Sequence, residues 1–431
     1  MNLFTWWRPT TAVVGCLAIV ALVGCDFMGF GDRPVTTVES EDNDQDNDQN
    51  NDENNDENND TTPDEGEYVE VFDEQVNLVN NYSDPIEVEI PDEAYAIAIS
   101  ITEGDGALNY MVTDWSAPDG FEMVPAGWEN NDGEVCYPGC NLRVMQSAGA
   151  NGVIAPNNPD AEPGIQPGTH EFTVHSASAG QFGGGWLQDS ANQASTDTVR
   201  VSVYVETAGD AVPEAGTMDL NLFFTGSEGW TADTAADDPD VQAVIEQMDG
   251  IFDQVNVDIG EVAYYDVDGD YRIIEDLFGG TGDLSQMFAQ SERAELEGPS
   301  VFFVEELQSP MDDWGGGGGV LGISGGIPGP MIVDGSPRSG VAVSTEHSAG
   351  MGAPGISNVT AHELGHYLGL FHTTEQTAGF GGGGGMPSHD PLPDTEEFDE
   401  SYLMHATGSG TEMSEWQGRV MRNNAWVNSD D

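Results

Sequence analysis

The sequence predicts two folded units: an all-β sandwich, then an α/β (α+β) domain with a mixed sheet and one long helix bearing paired histidines. Three observations lead there. Between residues 68 and 208, short apolar runs alternate with polar residues at period two, separated by Gly, Pro and Asn-Asp clusters. After Pro213, strand-like runs are interleaved with helical spacing. Near the C-terminus two histidines stand four residues apart in a helical pattern, so they share one face. The 431 residues leave room for two or three domains, and 38% hydrophobic content is enough to fill cores.

In chain order, the first element is an address. Arg8 is followed by TAVVGCLAIVALVG, too short to span a bilayer but right for the apolar stretch of a signal peptide. It ends in Leu22-Val23-Gly24-Cys25, which resembles the lipobox of bacterial lipoproteins. That resemblance implies a signal peptide over 1–24, cleavage before Cys25 and lipidation of its thiol; an ordinary secretory cleavage is the alternative. The chain would then touch a membrane only through the anchor. Its expected address is the bacterial cell envelope, at the outer membrane or cell surface ahead of the inner membrane. Residues 25–67 follow as an acidic linker containing EDNDQDNDQNNDENNDENND. Nothing in that run can be buried and its charges repel one another, so it reads as an extended solvated spacer.

The unit at 68–208 is predicted from IEVEI (86–90), AYAIAISI (94–101), LNYMVT (108–113), HEFTVH (170–175) and TVRVSVYV (198–205). Val199, Val201, Val203 and Val205 alternate with Arg200, Ser202 and Tyr204, the period of a half-buried antiparallel strand. Cys136 and Cys140 fall in this unit as an even pair in an oxidising compartment, and read as a local disulfide. The second reading makes one thiolate a latency plug on a metal.

The unit at 213–431 opens with strands at MDLNLFF (218–224) and EVAYYDV (261–267). Between them Val241, Val244, Ile245, Met248, Phe252 and Val255 keep helical spacing, with Pro239 where helix N-termini tolerate it. SVFFVE (300–305) and GVAVS (340–344) are further strands, and a second long helix is expected over 356–370. The glycine runs 315–319 and 381–385 are loops; no strand-turn-helix with a phosphate-binding lysine surrounds them.

Charge excludes one class of partner. The chain has 78 Asp and Glu against 9 basic residues, all arginine, for a formal net charge of −69. Such a surface repels a polyanion, so no nucleic-acid partner is expected. Residues 36–67 hold 14 of the acids and no base, leaving 64 acids against 9 arginines, or −55, elsewhere. The folded units are themselves acidic, a composition resembling adaptation to high salt, where screening relieves self-repulsion.

The chemistry is concentrated in residues 362–372, HELGHYLGLFH. His362 and His366 project from one helix face toward a common ion, Glu363 lies beside them without being a ligand, and Gly369 ends the helix. The chain can then swing back to present His372. Three neutral nitrogens with an open fourth position suit a hydrolytic zinc site.

HExxHxxGxxH is the signature that this segment shares with metzincin metallopeptidases, and the chain resembles that family over roughly 213–431. HTTE after the motif and DPLPDTEE before the next turn make it most similar to the pappalysin-like branch. The resemblance implies a zinc endopeptidase acting on protein or peptide substrates, with Glu363 as general base and His362, His366 and His372 as ligands. It also implies a methionine turn beneath the metal, which Tyr402-Leu403-Met404-His405 supplies through Met404, followed by a helix capped by Ser414 and Gln417. One departure stands out: some relatives carry a tyrosine two residues after that methionine, and here the position is Ala406. A substrate rail is expected either at 340–344 or along VLGISGG.

Other residues have plainer readings. Asp266, Asp268 and Asp270 resemble the opening of a calcium loop, but its twelfth position is Leu277, so a solvated turn comes first and Ca2+ second. His347, His389 and His405 are expected in loops, with substrate contact by His405 as the alternative. His170 and His175 are expected to be structural, and Trp314 and Trp416 to be packing residues. The rival to a peptidase is a surface adhesion or binding lipoprotein whose metzincin-like half is inactive.

Overall fold

A computed structural model describes residues 68–104, 108–124, 151–156, 164–178, 196–207, 214–277, 282–308, 320–349, 353–375, 388–390 and 392–429. The expectations for Cys25, Cys136, Cys140, Trp314, the signal peptide, the acidic linker and both glycine runs lie outside the described residues. Among the described residues, no helix is long and apolar enough to cross a membrane.

The N-terminal strands are β1 (Tyr68–Val79), β2 (Tyr82–Ser83), β3 (Ile86–Ile90), β4 (Ala94–Thr102), β5 (Leu108–Ser116), β6 (Glu122–Val124), β7 (Gly152–Ala155), β8 (Gly168–Ser178) and β9 (Thr196–Thr207). Among the described residues they form one hydrogen-bonded sheet in the order β6-β5-β8-β2-β1-β9-β4-β7, with β3 also on β8. The two-residue β2 joins its two flanks. Ile86, Val88, Val112, Phe172 and Val174 from one flank share a core with Ile97, Ile99, Val153, Val201 and Val203 from the other.

The alternation in β9 places Val199, Val201, Val203 and Val205 in that core, as expected. Its other face is also covered: Ser202 is 4% exposed and Tyr204 7% exposed. The half-buried expectation fails there because Tyr204, Ala98 and Ile154 pack into the core of the second unit. The long β1 gives little sequence signal. Its apolar alternation is interrupted by acids and by a register shift between Glu70 and Phe72.

The second unit contains β10 (Gly216–Phe224), α1 (Ala232–Ala235), α2 (Pro239–Phe252), β11 (Val257–Asp266), β12 (Ile273–Ile274), α3 (Asp283–Phe288), β13 (Ser300–Val304), β14 (Glu306–Leu307), β15 (Gly322–Ser324) and β16 (Val341–Ser344). It continues through α4 (Thr345–Ala349), α5 (Ala353–Tyr367), β17 (Thr374–Glu375), β18 (Ser388–His389), α6 (Glu415–Arg422) and β19 (Asn428–Ser429). The main sheet runs β11-β10-β13-β16-β15, with β19 also on β10. β10, β11, β13 and β16 pair in parallel, whereas β15 runs antiparallel to β16 at the edge. It is a mixed sheet covered on both faces.

That covering explains the continuous apolar runs SVFFV and VAVS, which are buried throughout. Leu222, Phe224, Val301, Phe303, Val341 and Val343 meet α2 and α5 on one face. Phe223, Phe302 and Ala342 meet Leu284, Met287 and Phe288 of α3 on the other. Each fully buried side chain of this size contributes about 1.5–3 kcal/mol by leaving water. Pro239 is the first residue of α2, and Asp238 caps it by accepting from the amides of Asp240 and Val241.

The two units meet along the segment that links β15 to β16. The Ser100 hydroxyl donates to the Met331 carbonyl at 2.7 Å and accepts from the Met331 amide at 2.8 Å. Gly152 lies so close to the Gly329 carbonyl that a side chain there would collide with it. Pro330 accepts from the Tyr367 hydroxyl and from Trp426 Nε1, both at 3.0 Å. The end of α5 is thereby tied to the strand unit through one short segment. A cavity of about 580 Å³ opens at this junction, lined among others by Asp73, Tyr110, Arg200, Asp334 and Arg338, and no residue of the histidine motif lines it.

Candidate active site

The histidine motif lies on α5, which spans Ala353–Tyr367 against an expectation of 356–370. The helix stops where glycine permits it. Gly369 has φ 110°, the Leu370 amide donates to the Gly365 carbonyl at 2.8 Å, and the Gly369 amide donates to the His366 carbonyl at 2.9 Å. This pair of bonds is a Schellman stop, and it reverses the chain so that His372 returns toward the helix.

His362, His366 and His372 come together as a buried group. His362 Nε2 lies 3.2 Å from His372 Nε2, and His366 Nε2 lies 3.1 Å from it. Nitrogens bound tetrahedrally to one zinc at about 2.0 Å would stand roughly 3.3 Å apart, so the group fits that ion. The opposite ring nitrogens fix the tautomer. His362 Nδ1 donates to the Leu403 carbonyl and His366 Nδ1 donates to the Leu370 carbonyl, each at 2.7 Å. A carbonyl can only accept, so both protons sit on Nδ1 and both Nε2 lone pairs face the centre. Burial, followed by the neighbouring His372 and His362, pushes His366 well below the usual imidazole range, keeping it neutral.

Met404 packs under this centre because residue 365 is glycine: a Cβ there would stand 2.6 Å from Met404 Sδ. The turn is also tied to the ligand segment by the Thr373 amide, which donates to the Met404 carbonyl at 2.9 Å. Beyond it, Ser414 and Gln417 form the expected capping box at the start of α6. Sequence reasoning singled out Met404 but missed Gly365, Leu403 and Leu370. Two of these act through backbone carbonyls, which no side-chain pattern reports.

Glu363 is 3% exposed, and burial pushes its carboxyl up to about 8. A dication in the three-histidine group would act in the opposite direction. The carboxylate packs against Gly322 of β15. Of the two segments considered as a rail, 341–344 is hydrogen-bonded on both sides, to β13 and β15, and cannot accept another strand. β15 is the edge.

The remaining candidates separate from this centre. His405 is fully buried, not a loop-surface residue, and its Nδ1 is 3.0 Å from Thr407 Oγ1. His389 bonds to Thr374 Oγ1 and the Thr395 carbonyl, and His347 Nδ1 is 3.0 Å from Ser344 Oγ. Tyr402 donates to the Asp394 carbonyl at 3.1 Å, which occupies its hydroxyl proton. His170 accepts from Trp115 Nε1 at its Nδ1, and His175 stacks on Tyr82. Trp416 is partly buried, packed on the main core.

At the turn of Asp266, Asp268 and Asp270 the structure brings in an arginine. Arg293 donates to the Asp266 carbonyl at 2.9 Å and pairs with Asp268 at 3.3 Å. Asp266 Oδ1 accepts from the Ala232 amide.

No family model and no curated protein matches this chain. Among solved structures it is similar to metalloproteinase-II from Bacteroides fragilis, at 11% identity and TM-score 0.28, covering 52% of this chain and 62% of that one. It is similar to a chaperone-substrate complex at 14% identity and TM-score 0.27, covering 54% of this chain and 38% of that one. The matched region is thus less than two thirds of either neighbour's length. Likenesses this slight carry no argument, so the functional reading rests on the residues themselves.

Proposed function

We propose that this chain is a zinc-dependent endopeptidase of metzincin type, most like the pappalysin-like branch. In this reading it is exported with a signal peptide over 1–24, anchored through lipidated Cys25, spaced by residues 25–67, and built of a β-sandwich (68–208) and a catalytic domain (213–431). One observation carries the proposal. Three buried imidazoles bring their Nε2 atoms to one point, two of them held by a carbonyl behind the ring, with a buried carboxylate on the helix that carries those two.

Zinc, when bound there, supplies the Lewis acidity that polarises a scissile carbonyl and activates water. The chain's own residues do the rest. Glu363, buried on the same helix as two of the histidines, takes a proton during attack and returns it to the leaving amine. The Leu403 and Leu370 carbonyls hold two rings in register. β15 offers an open backbone edge beside Glu363, onto which an extended peptide adds as a further strand. With Ala406 in place of a tyrosine and Tyr402 tied to Asp394, no tyrosine of this turn serves the oxyanion.

The test is zinc content and cleavage of denatured casein by the purified chain, compared with Glu363→Ala. Bound zinc in both proteins with turnover only in the native chain is expected. Turnover by a zinc-loaded Glu363→Ala protein would remove Glu363 from its role, and absence of cleavage by the native zinc form would remove the peptidase reading.

A further inference from the structure

We infer that Gly322 is a positioning residue for Glu363: the missing side chain at the start of the edge strand is what allows the carboxylate to stand beside the three histidines. The inference rests on the peptidase reading and adds to it a residue outside the histidine motif, 41 positions before the carboxylate that it positions.

The evidence is steric. A Cβ built on Gly322 would lie 2.5 Å from Glu363 Cγ, 2.8 Å from Oε1 and 2.9 Å from Cδ, so its three nearest neighbours all belong to Glu363. Real Cβ atoms do not approach that closely, so something must move. The strand cannot easily retreat: Gly322 pairs with Val343, and the Leu321 carbonyl accepts from the Ser344 amide at 2.8 Å. The helix is held as well, by His362 on the Leu403 carbonyl and by Gly365 against Met404. Glu363, buried at 3% exposure, has little space into which to swing. A methyl group at 322 therefore displaces the base while meeting no ligand among its nearest atoms.

Two measurements on the full chain test this. In the zinc-loaded protein, Gly322→Ala should retain zinc and a KM within about twofold, while kcat falls roughly 100-fold, the size expected for a catalytic group misplaced by about 1 Å. Glu363→Asp keeps the Cγ atom that stands nearest, so only truncation to alanine removes the collision. In the metal-free protein, Gly322→Ala should lower the melting temperature, whereas in a Glu363→Ala background the same change should cost little. Native kcat in Gly322→Ala would overturn the inference. So would equal melting-temperature losses in both backgrounds, whatever the turnover. If the native zinc form cleaves nothing while the melting cycle shows the coupling, the contact stands and the peptidase reading falls.

Discussion

Replacing Ser100 by alanine removes one oxygen atom from the strand unit and should cost the whole chain about 3 kcal/mol. Ser100 is fully buried, as is Met331. The hydroxyl both donates to and accepts from the Met331 backbone, at 2.7 and 2.8 Å. Alanine strands an amide and a carbonyl away from water, each worth about 1–3 kcal/mol when left unpaired, giving ~2–6 kcal/mol for the two. Thr198→Ala is the control, since that hydroxyl bonds to Asn77 at an exposed position and its loss should cost within about 0.5 kcal/mol. Urea unfolding at fixed salt and zinc measures both, with a lower midpoint and an unchanged slope expected for Ser100→Ala. A cost below about 0.5 kcal/mol, or one equal to the control, would refute the idea that this pair clamps the two units together.

Other expectations concern the centre and the charge. Gly365→Ala places a Cβ 2.6 Å from Met404 Sδ and should cost about 1–3 kcal/mol by overpacking; Met404→Ala in the same chain should relieve much of it, and independent costs would deny the contact. Burial raises the Asp334 carboxyl from the ordinary 3.8 to about 7, so the folded chain holds that proton more tightly than the unfolded one. Its contribution therefore lowers stability as pH rises from about 4 to about 7 and is flat above; Asp334→Asn should remove that slope from the urea midpoint, and an unchanged slope would disprove it. With a net charge of −69, stability and casein cleavage should both rise from low to molar salt, and a flat or falling profile would defeat the salt-adaptation reading.

Much of the architecture was legible locally. The parallel strands SVFFV and VAVS, buried on both faces, advertise themselves as continuous apolar runs, and α2 is announced by its spacing and by Pro239. The edge strand is the opposite case. Gly-Ile-Ser is three residues long and has no period to detect, so sequence reasoning could not choose between it and 341–344 as the rail. Hydrogen bonding on both sides of β16 leaves 341–344 no free edge. That Arg293 folds back onto the acids of residues 266–270 is likewise invisible in the sequence, because the contact spans 25–27 positions.

The sequence by itself determined which side chains converge. His362, His366, Glu363, Gly369 and His372 are close in the chain, and helix geometry with a glycine stop converts that spacing directly into convergence. Tertiary structure alone decided what holds the set in place. The Leu403 carbonyl behind His362 is 41 residues away, and the Ser100–Met331 clamp spans 231. Gly322 against Glu363 and Gly365 against Met404 are defined by atoms that glycine lacks. Periodicity reports which face of an element is buried; it does not report which distant backbone closes on that face, and here the distant backbone orients the imidazoles and leaves room for the base.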